Sequence, residues 1–142
     1  MAAFYTLLYI ADPADAEAVG CEEDAADRWP SLWLRHVGDL ELVALWAALG
    51  NSASETEGTL MADLLFQASD EGPFVMRVPP AFVAALAAIP AERIPEVASM
   101  WGQTEELADW QPAELTTVIE QLREFARRAV TSGKPMLQVA NL

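Results

Sequence analysis

The chain has 142 residues, 53% of them hydrophobic, with 22 acidic against 8 basic side chains and a formal charge of −14. That is enough apolar material for one domain with a sizeable core, while the charge repels nucleic-acid backbones and anionic membrane surfaces and disfavours both as partners. A single cysteine, Cys21, allows no intrachain disulfide, and one cysteine with one histidine cannot build a zinc tetrad, so neither cofactor nor metal is expected.

The segment Phe4 to Ile10 is aromatic and aliphatic except for Thr6, which predicts a buried strand. Its start lacks the basic region and small-residue cleavage site of a signal peptide, and no apolar run reaches a membrane-spanning length, so a cytoplasmic protein is expected. Asp12-Pro13 then reads as a helix start, with a short helix to about Val19 ended by Gly20. Cys21 to Asp27 holds Glu22, Glu23, Asp24 and Asp27 and too few apolar residues to fold inward; it reads as a solvated loop or an acidic helical turn. Leu32 to Val37 predicts a short strand. Asp39 reads as the cap of a second helix carrying Leu42, Leu45, Trp46 and Leu49 and stopped by Gly50. Asn51 to Gly58 is a polar loop.

Further on, Leu60, Met61, Leu64, Leu65 and Ala68 fit helical spacing, although the L-L-F run also suits a strand; helix is the favoured reading. Glu71-Gly72-Pro73 is a turn into the strand Phe74 to Val78. Pro79-Pro80 ends that strand and opens a helix from Ala81 to Ile89. Another helix is expected from about Pro95 to Trp101. The longest signal runs from Pro112 to Gly133, where Leu115, Val118, Ile119, Leu122, Phe125, Ala126 and Ala129 recur at three- and four-residue steps on one stripe. A closing strand follows over Pro135 to Val139. Strands at both ends and in the middle, with helices between, define a single α+β domain over residues 1–142: a small mixed or antiparallel sheet with helices packed against it.

The F-Y-T-L-L-Y-I strand, the helix around Leu45-Trp46, the V-P-P-A-F-V junction, the Trp101 to Glu105-Glu106 region and the L-R-E-F-A-R-R-A…G-K-P-M-L ending share an order and spacing along most of the chain. In this the chain resembles the YfbM-like family of small bacterial proteins of unknown function. The resemblance implies a single α+β domain and carries over no catalytic residue. Charge carried by arginine almost to the exclusion of lysine, with abundant alanine, is likewise the composition of a GC-rich bacterium.

Chemistry-bearing motifs are scarce. The acidic run Glu22 to Asp27 lacks the alternating ligands of a calcium loop, Cys21 beside two glutamates is poorly placed to become a thiolate, and there is no G-x-S-x-G, phosphate loop or dinucleotide fingerprint. Two constellations remain. Arg28, Trp29, Trp33, Arg35 and His36 set aromatic surface beside the only two basic residues of the acidic half; they form either a binding site or a core patch whose arginines pair with Glu22, Glu23 or Asp27. Trp101, Glu105, Glu106, Asp109 and Trp110, if helical, put Glu105 and Asp109 on one face with the Trp101 indole, an arrangement suited to acid–base hydrolysis with His36 as a third participant.

The acidity is concentrated in Met1 to Gly72, with 14 acidic residues against Arg28 and Arg35. The favoured expectation is therefore an interaction module that binds a basic protein partner. Glu22, Glu23, Asp24 and Asp27 would steer it and Trp29 and Trp33 anchor it, in the manner of an immunity protein or antitoxin. The alternative is the enzyme built on Glu105 and Asp109.

Overall fold

Five strands form one antiparallel sheet in the computed structural model, which describes residues 5–50 and 63–140. They are β1 (Tyr5–Ile10), β2 (Ser31–Arg35), β3 (Leu64–Gln67), β4 (Phe74–Arg77) and β5 (Met136–Ala140), in the spatial order β2-β1-β5-β4-β3. The first and last strands thus lie side by side inside the sheet, with Leu7 opposite Val139 and Ile10 opposite Met136. Six helices accompany the strands among the described residues: α1 (Ala16–Cys21), α2 (Ala25–Arg28), α3 (Asp39–Ala48), α4 (Pro80–Ala87), α5 (Ile94–Trp101) and α6 (Pro112–Ser132).

α6 organises the larger core. All seven residues of its predicted stripe are buried, a gross gain on the order of 10 kcal/mol. Pro112 opens it, and Gly133, at φ 72°, closes it in the left-handed conformation that glycine adopts without a side-chain penalty. The Arg123 Nε–H donates to the Ile89 carbonyl at 2.6 Å, tying α6 to the end of α4. Leu8, Ile10, Leu34 and Met136 from one face of the sheet meet α3 to α6 in this core, where Trp46 and Phe82 stack at 5.1 Å.

The opposite face is covered in part by α1 and α2, whose Ala16, Val19 and Ala25 pack on Tyr9, Val75, Leu137 and Val139. α1 runs through Gly20 instead of stopping there, a correction with a steric cause: a Cβ at Gly20 would lie 2.8 Å from Val75 Cγ2, so the glycine lets the helix sit directly on β4. The Tyr9 phenol, only 5% exposed, titrates above its ordinary value of 10.0, first because burial disfavours the phenolate and second because Tyr5 is close by. A raised folded-state value leaves this stabilisation complete below pH 10.0 and removes it as the pH climbs through the folded value. Tyr9→Phe is expected to flatten that alkaline loss, checked by thermal melts at about pH 9 and about pH 11. Equal declines in the two proteins would contradict the assignment.

Two other predicted elements are redrawn. The helix expected from Leu60 to Ala68 is, where described, the edge strand β3: the Glu71–Pro73 turn, with Gly72 at φ 102°, folds Leu64–Gln67 back along β4, and the Ala68 N–H donates to the Pro73 carbonyl at 3.1 Å. α3 takes Gly38 as its N-cap instead of Asp39, because the Glu41 carboxylate accepts the Gly38 N–H at 3.3 Å. Phe4, the polar loop Asn51 to Gly58 and residues 60–62 lie outside the described residues.

Candidate functional site

Between β1 and β2 the chain cannot bury its carboxylates. α2 is a single turn with only Ala25 facing inward, so Glu22, Glu23, Asp24 and Asp27 all stand exposed. Arg28 pairs with Glu22 and lays its guanidinium over the Trp29 ring at 4.5 Å from the centroid. Both partners of that pair are open to solvent, so it adds little to stability. Trp29 itself is half-buried against the α1–α2 core.

β2 then carries the aromatic surface outward. The two-residue period of a strand turns Leu32 and Leu34 into the larger core and Ser31, Trp33 and Arg35 onto the opposite face, where they pair with Tyr9, Leu7 and Tyr5. α1 and α2 cover the Tyr9 end of that face and leave the Tyr5 end open. Trp33 is 54% exposed and Tyr5 39%, their rings meeting edge to face at 6.2 Å, with the Arg35 guanidinium 4.6 Å above the indole. Tyr5 stood within a segment expected to be wholly buried, so this is a correction. The missed signal was the alternation itself, since Tyr5 shares a face with Leu7 and Tyr9 at an end of that face that no helix covers among the described residues. Among the described residues β2 has only β1 as a neighbour, so its outer backbone groups also face away from the sheet.

A cleft of about 360 Å³ separates the end of β2 from the first half of α6, with Arg35, His36, Trp110, Glu114 and Gln121 among its walls. His36 makes the turn out of β2 at φ 61°, a left-handed conformation that histidine visits more readily than most residues. Parts of both sequence constellations therefore meet here: Trp33, Arg35 and His36 from the first, Trp110 from the second.

The carboxylates proposed for catalysis do not join them. α5 ends at Trp101, and Glu105–Leu107 form a separate 3-10 turn, so Trp101, Glu105 and Asp109 do not share a helix face. Gly102 and the Thr104 hydroxyl, which donates to the Trp101 carbonyl at 2.8 Å, take the chain out of the helix. Trp101 is fully buried, with its indole N–H donating to the Glu41 carbonyl at 2.8 Å, whereas Glu105 and Asp109 are exposed. Neither acid lines the cleft that holds His36. The geometric premise of the acid–base reading is thus corrected.

Among the described residues no group of three or more histidine, cysteine, aspartate or glutamate side chains is placed to hold a metal ion, and no helix is long and apolar enough to cross a membrane. The chain matches no family model, no curated protein and no solved structure.

Proposed function

We propose that this protein is a small cytoplasmic bacterial interaction module that binds a basic protein partner on the face presenting Trp33. The observation that carries the reading is the half-exposed Trp33–Tyr5 pair on the same sheet face as the exposed acidic turn Glu22 to Asp27, in a chain of net charge −14. Glu23, Asp24 and Asp27 steer the partner, Glu22 does so less because Arg28 neutralises it, and Trp33 anchors the complex with Trp29 as a supporting wall. An immunity or antitoxin-like role against a basic nuclease is one concrete form of this reading, by analogy with how such proteins work. Kinship with the YfbM-like family belongs to the proposal as well, and supplies an expectation of fold without an activity.

The test is affinity capture from a bacterial lysate at low and high salt, with the wild-type chain and a variant carrying Glu22→Ser, Glu23→Ser, Asp24→Ser and Asp27→Ser. The expected result is a basic protein retained by the wild type at low salt, and lost both on raising the salt and in the variant. A partner held equally by both chains at both salts removes the electrostatic model.

A further inference from the structure

At the opposite end of the sheet from Tyr5, where β4 ends, β5 begins and α6 gives way to Gly133, lies a cavity of about 370 Å³. Its walls are aliphatic, with Val78, Val83, Ala84, Val130 and Met136 among them, and among the described residues its charged lining is two cations, Arg77 and Lys134. This runs against the composition of the chain as a whole.

Two residues of the lining, Val130 and Arg77, are not fully engaged by the core. Val130 is 58% exposed and lies off the buried stripe of α6, between Ala129 and Thr131. The Nε of Arg77 is shielded from solvent and makes no hydrogen bond among the described residues; Asp63 Oδ2 stands 3.5 Å from it. Lys134 is held similarly loosely, with its Nζ 3.8 Å from Asp12 Oδ2. Both aspartates are more than half exposed, so a buried competitor can displace them at little cost.

An aliphatic cleft with a few convergent polar groups is the common form of a small-molecule site, and its volume is near the lower end of the range for such sites, about 300–1,000 Å³. The geometry points to a binding site for a small amphipathic carboxylate: an aliphatic body against Val83, Ala84 and Val130, and a carboxylate bridging Arg77 and Lys134. Guanidinium and ammonium both make charge-assisted hydrogen bonds to a carboxylate, and arginine can do so with two parallel donors. The site shares no residue with the Trp33 surface, so it stands independently of the partner-binding reading.

Octanoate, octanol, octylammonium and acetate are the probes, titrated calorimetrically into the full chain, with amide NMR shifts to locate binding. Octanoate is expected to bind saturably and shift Val78, Val130 and Gly133, and each of the other three to bind at least about tenfold more weakly, since each lacks the charge, its sign or the apolar body. Lys134→Gln, an exposed change that leaves the fold intact, should weaken octanoate about tenfold, and Arg77→Gln likewise, whereas Arg77→Lys should retain most of the affinity. Octanoate bound equally well by Lys134→Gln and Arg77→Gln, octylammonium bound as tightly as octanoate, shifts confined to other residues, or no saturable binding at millimolar octanoate would each overturn the assignment.

Discussion

Trp101→Ala is expected to lower the free energy of unfolding by about 3–5 kcal/mol, the range for deleting a large buried aromatic side chain. Trp101 is 0% exposed at the end of α5, inside the core that α3, α5 and α6 share. Its indole N–H satisfies the Glu41 carbonyl in the first turn of α3, at 2.8 Å. Two losses therefore combine on truncation: the packing of the ring, and the donor to a carbonyl whose residue is only 6% exposed. Trp101→Phe separates them, because it keeps most of the apolar contact and removes only the donor, for an expected loss of about 1–3 kcal/mol. Denaturant melts of both variants provide the measurement. A wild-type midpoint for Trp101→Ala would show that this ring is not core.

That same residue shows where local pattern reading succeeds and where it stops. The stripe of α6 was legible because helical periodicity is a property of the segment alone: seven apolar residues at three- and four-residue steps have one face in common whatever they pack against. Trp101, Glu105 and Asp109 have the same spacing, but spacing implies a shared face only while the helix continues, and it ends at Gly102. β3 was misread for a different reason. Leu64, Leu65 and Phe66 fit either period, and what decides for a strand is the pairing with β4 across the turn at Gly72, a contact made outside the segment. Gly20 reads as a helix stop until Val75, more than fifty residues later, is seen pressed against it.

The candidate surface divides along the same line. That Glu22, Glu23, Asp24 and Asp27 would be solvated followed from composition, since a run with so little apolar content has nothing to bury. The exposure of Trp33 did not, because a tryptophan between two leucines reads equally well as core. In S-L-W-L-R the alternation puts Trp33 opposite to Leu32 and Leu34, and only the sheet order, with β2 at the edge and α1–α2 covering the Tyr9 end, leaves it in water. The cavity between Arg77 and Lys134 carried no sequence signal at all, since the two residues are 57 positions apart and are brought together by the pairing of β4 with β5.

If Trp33 anchors a partner, Trp33→Ala should weaken that complex by about 2 kcal/mol or more, roughly 30-fold in Kd, while costing the isolated domain much less. The stability cost includes an edge-to-face contact with Tyr5, worth about 0.5–1.5 kcal/mol, and a guanidinium above the ring, worth about 0.5–1 kcal/mol at an exposed site. Binding counts the ring differently, because a partner that covers an indole now 54% exposed removes most of its remaining apolar area from water. Salt separates this contribution from that of the acidic turn. Charge steering fades as ionic strength rises, so the Glu22, Glu23, Asp24 and Asp27 variant should converge on the wild type at high salt, whereas the Trp33→Ala deficit should persist at every salt concentration. Val130→Ser is the control, since Val130 is also a well-exposed apolar residue but lies at the other end of the molecule, and it should leave the partner's affinity unchanged. Binding isotherms with the captured partner at two ionic strengths make the comparison. Equal affinity of Trp33→Ala and wild type would remove this face as the docking surface, and a loss as large in Val130→Ser would show that the effect has no address.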